Sequence, residues 1–532
     1  MEKKRHSLQT VLSGLPAGLL CLFLLGMTAL NIRLPWRELK SCATKTGIDF
    51  TGLTDRIADA FQSDELTGKN AFVNLNGLFA RASGQMECNG VQRLRNGMLT
   101  EYSVSWNMNP QVEALTALSQ SLRKRDIPFT FILAPTKMDL GQGLLPAFWE
   151  DHGNENADAL VTALRDNKVS VLDLRAVLAP NAQAVETYFY KTDHHWNANG
   201  AFVAFEKIME RLKNVAPGKV DGKYADKALW TEHTVPDLFL GSWGKRVGAF
   251  FGGVDDLIYL TPDFDTDLSL LIPNHQEIRT GDFEQVCLWQ EYAGDRDLFG
   301  KNNYFIYMGG DYPVLELRNR KAPNSQRLLI VKDSFSAPLL AFLQTEFAWI
   351  DAIDPRYYDD GTIMDYITMN PPDAVLMMLN PRTLGNWDFF NNLGCQEAEA
   401  DQSRPKKTGA LRAHKEFTLT ASDNEYNSLK LAENLRPGRV YALSFTSAEA
   451  LTGDLTGLMA AVYDTESRRF ALRKLWDPAF EEANGGYRWV FRVPESWEGK
   501  QLELLLYSGV SGSAQGIGVK FHDLLVEETK YQ

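Results

Sequence analysis

Apolar positions in the middle of the chain alternate between helical and strand spacing. Val112, Leu115, Leu118 and Leu122 recur at the spacing of a helix that buries one face. A short apolar run between prolines follows at residues 128–135, which is typical of a buried strand. The same reasoning predicts further helices at 156–166, 198–212 and 338–343, and strands at 169–174, 327–331, 347–350 and 374–379. Strands that alternate with helices indicate an α/β fold with a parallel sheet flanked by helices.

The apolar period changes to two near the end of the chain. Tyr441, Leu443 and Phe445 alternate with smaller or polar residues, and residues 487–493 repeat the pattern. Gly and Pro pairs separate these runs, as turns do between strands. Residues 410–532 are therefore predicted to form an all-β sandwich.

Two stretches without a clear period divide the chain. Residues 396–409 are polar and predict a linker. Residues 214–326 interrupt the alternation of helices and strands with turn residues and short apolar pieces, which indicates a long insertion. The predicted domains are thus an α/β domain at 35–395, which contains the insertion, and the sandwich at 410–532.

The N-terminus has the pattern of a membrane signal. Residues 2–6 are mostly basic, and no charged residue occurs from Ser7 to Ile32. About 20 apolar residues suffice to span a bilayer, so residues 1–34 are predicted to be a cytoplasmic basic tip and a signal anchor. By the positive-inside rule, residues 35–532 would be extracytoplasmic. A cleaved signal peptide is the alternative, although residues 28–30 make a poor cleavage site.

Composition excludes several classes of protein. The chain has 532 residues, of which 44% are hydrophobic and 23% charged. Such a chain can bury a sizeable core and is not mainly disordered. Its net charge of −13 argues against nucleic acid as a partner, because phosphate binding requires a dense basic face.

Export would make the cysteines candidates for disulfides. Cys21 lies within the apolar N-terminal segment, which leaves Cys42, Cys88, Cys287 and Cys395. Proximity along the sequence favours the pairs Cys42–Cys88 and Cys287–Cys395 among the three possible connectivities. Buried free thiols are the alternative.

A pair of adjacent histidines stands out at residues 188–200. Asp193 precedes His194 and His195, directly before a predicted helix. In an extended segment Asp193 and His195 point the same way and His194 points the opposite way, so Asp193 can orient His195 as a general base. A structural loop with hydrogen-bonded histidines is the plain alternative. A metal site is a further one, although no His-x-x-x-His pair or other ligand spacing supports it.

A serine follows one of the buried strands. The strand predicted at 327–331 is followed by Lys332, and Asp333 and Ser334 open the turn into the next helix. Open α/β sheets place their sites at this carboxyl end of the strands. The Ser334 amide can there stabilise an oxyanion, whereas a helix N-cap is the common structural role of such a serine.

The two motifs together resemble the alginate O-acetyltransferase family and its Asp-His-His-Trp relatives. These are SGNH-hydrolase-like proteins of bacterial surfaces, and the resemblance covers about residues 70–395. Further similar segments are residues 72–81, 90–97, 133–137, 241–248 and 354–358. The resemblance implies that Asp193, His195 and Ser334 form a catalytic triad. One departure is Lys332, which replaces the glycine of the usual Gly-Asp-Ser.

Three more residues are candidates for substrate binding by their position. Asn380 follows the strand at 374–379, where its side-chain amide could serve the oxyanion, although a turn-forming role is as plausible. Arg356 and Tyr357 follow the neighbouring strand and can face the same cleft. Arg356 could contact an acidic sugar, and an ion pair with Asp351 or Asp354 is the plainer interpretation.

The resemblance implies an extracytoplasmic O-acetyltransferase. Ser334 would carry the acetyl group to hydroxyls of a cell-surface or exported polysaccharide, without a metal or another cofactor. A separate multi-pass membrane acyltransferase would supply the acetyl group, and the N-terminal helix would bind the membrane. A polysaccharide O-acetylesterase and a non-catalytic glycan-binding scaffold are the alternatives. Some relatives carry a carbohydrate-binding sandwich, so residues 410–532 could also bind glycan, although alternating aromatics usually form a core.

Overall fold

The structure is a computed structural model that describes most of the chain beyond residue 24. The described ranges are 25–27, 29–41, 43–44, 47–48, 53–56, 66–137, 144–145, 149–215, 219–275, 277–394, 406–420, 428–447, 458–467, 469–476, 486–493, 497–508 and 518–530. The chain divides into two compact units, residues 1–89 with 245–251, and residues 90–244 with 252–532. Each unit is described by itself below.

The first unit contains short elements near the N-terminus. They are α1 Arg33–Ser41, β1 Ala43–Thr44, β2 Gly47–Ile48, α2 Lys69–Ala82 and β3 Glu87–Cys88. The Asn31 side chain exchanges hydrogen bonds with the backbone of Thr67, at 2.7 Å and 3.3 Å, just before α2 begins. Within the described ranges no helix is both long and apolar enough to cross a membrane. Most of the predicted membrane segment, residues 7–32, lies outside those ranges.

The second unit begins with an α/β domain. Its strands are β4 Val91–Arg93, β5 Leu99–Thr100, β6 Phe129–Leu133, β7 Val171–Asp173, β8 Trp230–Phe239, β9 Asp255–Pro262, β10 Leu268–Ile272, β11 Glu277–Gly281, β12 Val314–Asn319, β13 Asn324–Lys332, β14 Phe347–Ile353 and β15 Ala374–Leu379. The helices between residues 109 and 369 are α3 Asn109–Arg123, α4 Gly153–Asp166, α5 Arg175–Leu178, α6 Ala182–Tyr188, α7 Ala198–Val215, α8 Ser242–Val247, α9 Ala249–Gly252, α10 Phe283–Cys287, α11 Glu291–Gly294, α12 Ser336–Glu346 and α13 Ile363–Met369. Parts of α8 and α9 belong to the first unit.

Eight strands form the central sheet in the order β11-β10-β12-β14-β13-β15-β6-β7. The five strands from β14 to β7 are parallel, which confirms the predicted α/β class. β12, β10 and β11 continue the sheet in antiparallel fashion. Three strands within the predicted insertion at 214–326 thus extend the central sheet, and the assignment of this segment as an insertion stays a prediction. Antiparallel neighbours need no crossover helix, so they break the helix–strand alternation without leaving the sheet.

The sheet is buried on both faces. Leu328 and Ile330 of β13 pack with α7 and α12 on one face, whereas Leu329 and Val331 pack with α3 and α4 on the other. A strand that is apolar on both sides belongs in the middle of a covered parallel sheet. This packing fixes the end of β13, where Ser334 follows.

The C-terminal strands form the predicted sandwich. They are β16 Lys406–Thr420, β17 Ser428–Glu433, β18 Val440–Ser447, β19 Leu458–Asp464, β20 Arg469–Trp476, β21 Gly486–Arg492, β22 Leu502–Ser508 and β23 Gly518–Lys530. They build two antiparallel four-stranded sheets around one apolar core. Trp489 stacks on Phe491 inside this core, with ring centroids 4.0 Å apart. Because β16 begins at Lys406, the last residues of the predicted linker at 396–409 are strand.

The expected disulfides are not formed. Cys88 and Cys287 are buried free thiols, so the predicted pairs with Cys42 and Cys395 are wrong; those two partners lie outside the described residues. The Asn76 side-chain amide donates to Cys88 Sγ at 3.3 Å. A disulfide requires two Cβ atoms about 4 Å apart, and proximity along the sequence does not ensure this spacing.

Strand β13 ends in a buried lysine. Lys332 Nζ lies 2.8 Å from Asp311 Oδ1 and 3.4 Å from Asp354 Oδ2. Arg356 pairs with the same two carboxylates. Burial disfavours a charged lysine, but the two carboxylates outweigh it and raise the pKa of Lys332. A lysine in place of the usual glycine thus closes a buried charge cluster.

The substitution Lys332→Met tests this cluster. It leaves two buried carboxylates with Arg356 alone, so we expect the free energy of unfolding to fall by about 3–5 kcal/mol. Urea denaturation measures the loss. The matched control is Arg320→Met, which removes an exposed pair with Asp267 and is expected to cost less than about 1 kcal/mol. Equal losses in the two variants would contradict a special role for the cluster.

Among the described residues, few side-chain contacts link the sandwich with the α/β domain. Arg492 of β21 lies 3.4 Å from Asp365 of α13, and Met369 packs against the sandwich core. A chain that ends near residue 400 is therefore expected to remain folded, with a loss of only about 1–3 kcal/mol. Thermal unfolding and limited proteolysis measure this. Aggregation of the shortened chain would show that the sandwich is required for folding.

Candidate functional site

Three side chains from two distant segments form a continuous hydrogen-bonded path. His195 Nδ1 lies 2.5 Å from Asp193 Oδ1, and His195 Nε2 lies 2.8 Å from Ser334 Oγ. Because the carboxylate accepts the Nδ1 proton, a neutral ring leaves Nε2 to accept the Ser334 hydroxyl. Asp193 and His195 are buried and Ser334 is partly exposed. We call these three residues the Asp–His–Ser relay; their catalytic role stays a prediction at this point.

Asp193 is held as an ionised carboxylate. Its Oδ1 faces His195, and its Oδ2 accepts a hydrogen bond from the Ser242 amide at 2.6 Å. Burial alone would raise the pKa of Asp193, but His194, His195 and the Ser242 amide hold it well below its usual range. A Cβ at Gly241 would overlap Asp193. Only glycine therefore permits this close approach.

The backbone before Asp193 is clamped from two sides. The Asp255 carboxylate accepts the amides of Lys191 and Thr192, at 2.7 Å and 2.8 Å, and the Thr192 hydroxyl at 2.5 Å. Lys137 Nζ donates to the carbonyls of Tyr190 and Lys191, at 2.7 Å and 3.0 Å. Burial lowers the pKa of Lys137 to about 7. Sequence reasoning assigned no role to Lys137 or Asp255, because neither lies beside the histidine motif.

His194 does not point away from the relay. Its ring centroid lies 3.7 Å from that of His195, and its Nδ1 lies 3.0 Å from Ser242 Oγ. The strand-parity expectation for His194 is therefore wrong, because residues 191–195 form a series of bends and not an extended segment. Burial, with the neighbouring charge of His195, lowers the pKa of His194 to about 3.

The turn that carries Ser334 depends on Asp333. Its Oδ1 accepts the Phe335 amide at 3.0 Å, and its Oδ2 accepts the backbone and side-chain N–H groups of Asn380 at 2.8 Å and 2.7 Å. Burial raises the pKa of Asp333. Helix α12 has Phe335 at its N-cap position, so Ser334 is not the cap. Asn380 thus stabilises the turn through its hydrogen bonds to Asp333, and its contact with substrate stays a prediction.

Two aromatic residues fix the backbone on the His195 side of this turn. The Tyr304 ring stacks on the His195 ring, with centroids 3.7 Å apart and an interplanar angle of 9°. The Tyr304 hydroxyl and Trp196 Nε1 both donate to the Phe335 carbonyl, at 3.1 Å and 3.0 Å. Tyr304 has no motif around it, and sequence reasoning missed it.

The Ser334 amide is available for a developing negative charge. Within the described part of the chain, this N–H has no hydrogen-bond acceptor. It lies in the same turn as the hydroxyl that faces His195. An amide in this position can donate to an oxyanion that forms when Ser334 attacks a carbonyl carbon.

Arg356 and Tyr357 are placed differently. Arg356 Nε and Nη2 lie 2.9 Å and 2.6 Å from the Asp354 carboxylate, which is one of the ion pairs considered. Asp351 instead pairs with Arg318 at 2.9 Å. Tyr357 is half-exposed, and its ring centroid lies 4.9 Å from the Arg356 guanidinium. Among the described residues, neither hydrogen-bonds to the relay, so their substrate contacts stay predictions.

Two relay residues, together with the neighbouring His194, also offer the types of donor atom that bind metals. One ligand atom each from Asp193, His194 and His195 lies within 4.8 Å of the others. However, both ring nitrogens of His195 already face protein partners, Asp193 and Ser334. A metal ion would have to replace one of these hydrogen bonds. The arrangement suits proton transfer better than coordination.

Two family models match overlapping parts of the chain. The SGNH hydrolase-like domain of acetyltransferase AlgX matches residues 96–242. The DHHW protein model matches residues 176–353. The two matches share the segment that contains Asp193 and His195, and the second extends to Ser334. A comparison with curated proteins gives no match.

The solved structures that match the chain include three from different bacteria. Bacillus cereus PatB1 is 23% identical, with 57% of this chain and 99% of that chain covered and a TM-score of 0.49. A DHHW family protein from Eubacterium siraeum is 20% identical, with coverage of 58% and 97% and a TM-score of 0.44. Pseudomonas aeruginosa AlgX is 14% identical, with coverage of 83% and 94% and a TM-score of 0.34.

The two family models confirm the resemblance predicted from the sequence for the part of the chain that holds the relay. Residues 96–242 match the SGNH hydrolase-like domain of acetyltransferase AlgX, and residues 176–353 match the DHHW protein model.

Proposed function

We propose that this protein is an O-acetyltransferase that moves an acetyl group through Ser334 onto hydroxyls of a cell-surface or exported polysaccharide. The observation that carries the proposal is the relay itself. An ionised buried carboxylate, a histidine and a partly exposed serine hydroxyl lie in one path of 2.5 Å and 2.8 Å contacts. The match to an acetyltransferase family model supports acetyl as the transferred group.

In the first half of the proposed reaction, His195 Nε2 takes the proton from Ser334 Oγ as the oxygen attacks the acetyl carbonyl carbon. The carbonyl oxygen becomes an oxyanion, to which the Ser334 N–H donates. The oxyanion then collapses, the donor's oxygen leaves, and protonated His195 returns the proton to it. The product is an acetyl ester on Ser334.

In the second half, a sugar hydroxyl takes the place of the donor. His195 removes its proton while its oxygen attacks the acetyl carbon, and Ser334 leaves with the proton. Asp193 stays ionised throughout, since its pKa lies well below the usual range. Its charge stabilises the imidazolium that forms in each half.

We further propose the placement that this reaction requires. Residues 1–34 would anchor the chain and residues 35–532 would lie outside the cytoplasmic membrane, where polysaccharide is exported. The acetyl group would come from a separate multi-pass membrane acyltransferase. The charge and hydropathy of the N-terminus support this arrangement. Glycan binding by residues 410–532 belongs to the same proposal.

One assay separates transfer from hydrolysis. The full chain is incubated with 4-nitrophenyl acetate and candidate oligosaccharides, and free acetate is compared with acetylated sugar. We expect acetylated sugar to accumulate. Free acetate alone, with or without sugar, would indicate an esterase, and no turnover of the ester would indicate a scaffold.

Replacing Ser334 tests the role of its hydroxyl. Ser334→Ala is expected to lower ester turnover by about 10³-fold or more, because the nucleophile is absent, while the melting temperature stays unchanged. The matched control is Ser336→Ala, two residues along, which removes a buried hydroxyl that has no hydrogen-bond partner among the described residues. The control should retain turnover. Normal turnover by Ser334→Ala would refute the assignment.

The two histidines should behave differently. His195→Ala is expected to lower turnover by about 10²–10⁴-fold, since it removes the general base. His194→Asn is expected to lose less. Because the pKa of His194 is about 3, this ring is neutral from about pH 5 to 9 and adds no ionisation there. The pH–rate profile of His194→Asn should therefore keep its wild-type shape, and a shifted profile would show that His194 titrates in this range.

A further inference from the structure

An exposed apolar segment lies near the relay. Residues 101–107 form neither helix nor strand, and Tyr102, Val104 and Trp106 are 48%, 53% and 49% exposed. Single exposed apolar residues are common, but a cluster of large ones usually marks an interaction site. This cluster is the starting point for the inference.

The backbone that carries these side chains is held in place. The Ser103 amide donates to Asp151 Oδ1 at 3.0 Å, and the Trp106 amide donates to Asn156 Oδ1 at 2.9 Å. The Asn156 side-chain amide in turn donates to the Val104 carbonyl at 2.8 Å. Helix α4 and the residues before it therefore present the apolar side chains on a fixed backbone. A fixed surface binds with a smaller entropic cost.

The loop after β15 extends the apolar surface. A Cβ at Gly385 would lie 2.6 Å from the Trp106 indole, so the ring rests directly on this glycine. Trp387, two residues further, is 45% exposed and stacks on Phe390 with ring centroids 5.8 Å apart. The loop that follows β15, at the edge of the sheet where Ser334 lies, thus contacts Trp106 and carries Trp387.

A chain of contacts connects this surface to the relay. Arg382 donates to the Glu101 carbonyl at 2.9 Å, and its guanidinium lies 5.2 Å from the Trp243 ring centroid. The Trp243 ring lies 5.8 Å from that of His194, which packs against His195. These contacts link Glu101, the residue before Tyr102, with His194 beside the relay.

Four described cations near the relay, Lys137, Lys332, Arg356 and Arg382, already have partners within the protein. Lys332 and Arg356 pair with aspartates, and Arg382 pairs with Glu101. Lys137 donates to two backbone carbonyls, and His194 is uncharged at neutral pH. The cations around the relay would therefore already be paired when a polysaccharide of acidic sugars bound there. Its carboxylates would lose hydration without gaining ion pairs strong enough to compensate.

We propose that Tyr102, Val104, Trp106 and Trp387 form a platform that binds the acceptor, and that the acceptor is a polysaccharide of uncharged sugars. The inference rests on the proposed function and adds the class of substrate. Pyranose rings have apolar C–H faces that pack against aromatic rings, and burial of such faces is favourable without any charge. Tyr102 and Trp106 are four residues apart, at most about 14 Å between Cα atoms, so they can contact different sugars of one chain.

Direct binding tests the platform without relying on turnover. Calorimetric titration of the full chain uses neutral hexasaccharides of β-1,4-glucose, β-1,4-mannose and β-1,4-N-acetylglucosamine, and an oligomannuronate as the acidic probe. We expect at least one neutral probe to bind more tightly than the oligomannuronate. Trp106→Ala should raise the Kd of that neutral probe about tenfold, and Trp106→Phe should restore most of the affinity. Phe79→Ala is the matched control, since Phe79 is 65% exposed on α2, and it should bind as the wild type does.

Three results would overturn the proposal: no binding of any neutral probe, tighter binding of the oligomannuronate, or an unchanged Kd in Trp106→Ala. Thermal unfolding verifies that each variant is folded, and Tyr102→Ala replaces Trp106→Ala if the latter is not. Turnover of 4-nitrophenyl acetate distinguishes this failure from that of the proposed function. Ester turnover without glycan binding overturns the platform alone, whereas glycan binding without ester turnover overturns the reaction alone.

Discussion

The hydrogen-bonded path from Asp193 through His195 to Ser334 depends on two turns that meet from segments 139 residues apart. Each turn is held by a buried carboxylate that accepts backbone N–H groups. Asp255 holds the residues before Asp193, and Asp333 holds the residues after Ser334. Carboxylates bound in this way are costly to bury and costly to lose, since either partner alone would leave an unsatisfied polar group. The rigidity of the site follows from this constraint.

The same constraint explains why charge is concentrated inside the carboxyl edge of the sheet. Lys332 and Arg356 neutralise Asp311 and Asp354 directly behind the turn of Ser334. These cations form ion pairs within the protein, whereas the proposed platform presents mainly aromatic rings. The proposed preference for uncharged sugars thus follows from the pairing of these cations with carboxylates inside the protein.

Much of this arrangement could be predicted from the sequence because its signals are local. A buried strand followed by Asp333 and Ser334, and an acid two residues before His195, are visible in short stretches. Lys137, Asp255 and Tyr304 could not be found in this way, since each lies far along the chain from the two motifs and reaches them only through tertiary contacts. The direction of His194 was predicted wrongly because parity holds only for extended backbone. The antiparallel part of the sheet and the state of the cysteines also depend on tertiary contacts.

The most direct test of the account is to capture the acetyl group on the enzyme. The full chain is mixed with 4-nitrophenyl acetate, quenched in acid at early times and digested, and the peptides are analysed by mass spectrometry. The account predicts that the peptide containing Ser334 gains the mass of one acetyl group, and that His195→Ala forms this adduct far more slowly. An acetyl group on another residue, or rapid ester turnover without any adduct on Ser334, would contradict it.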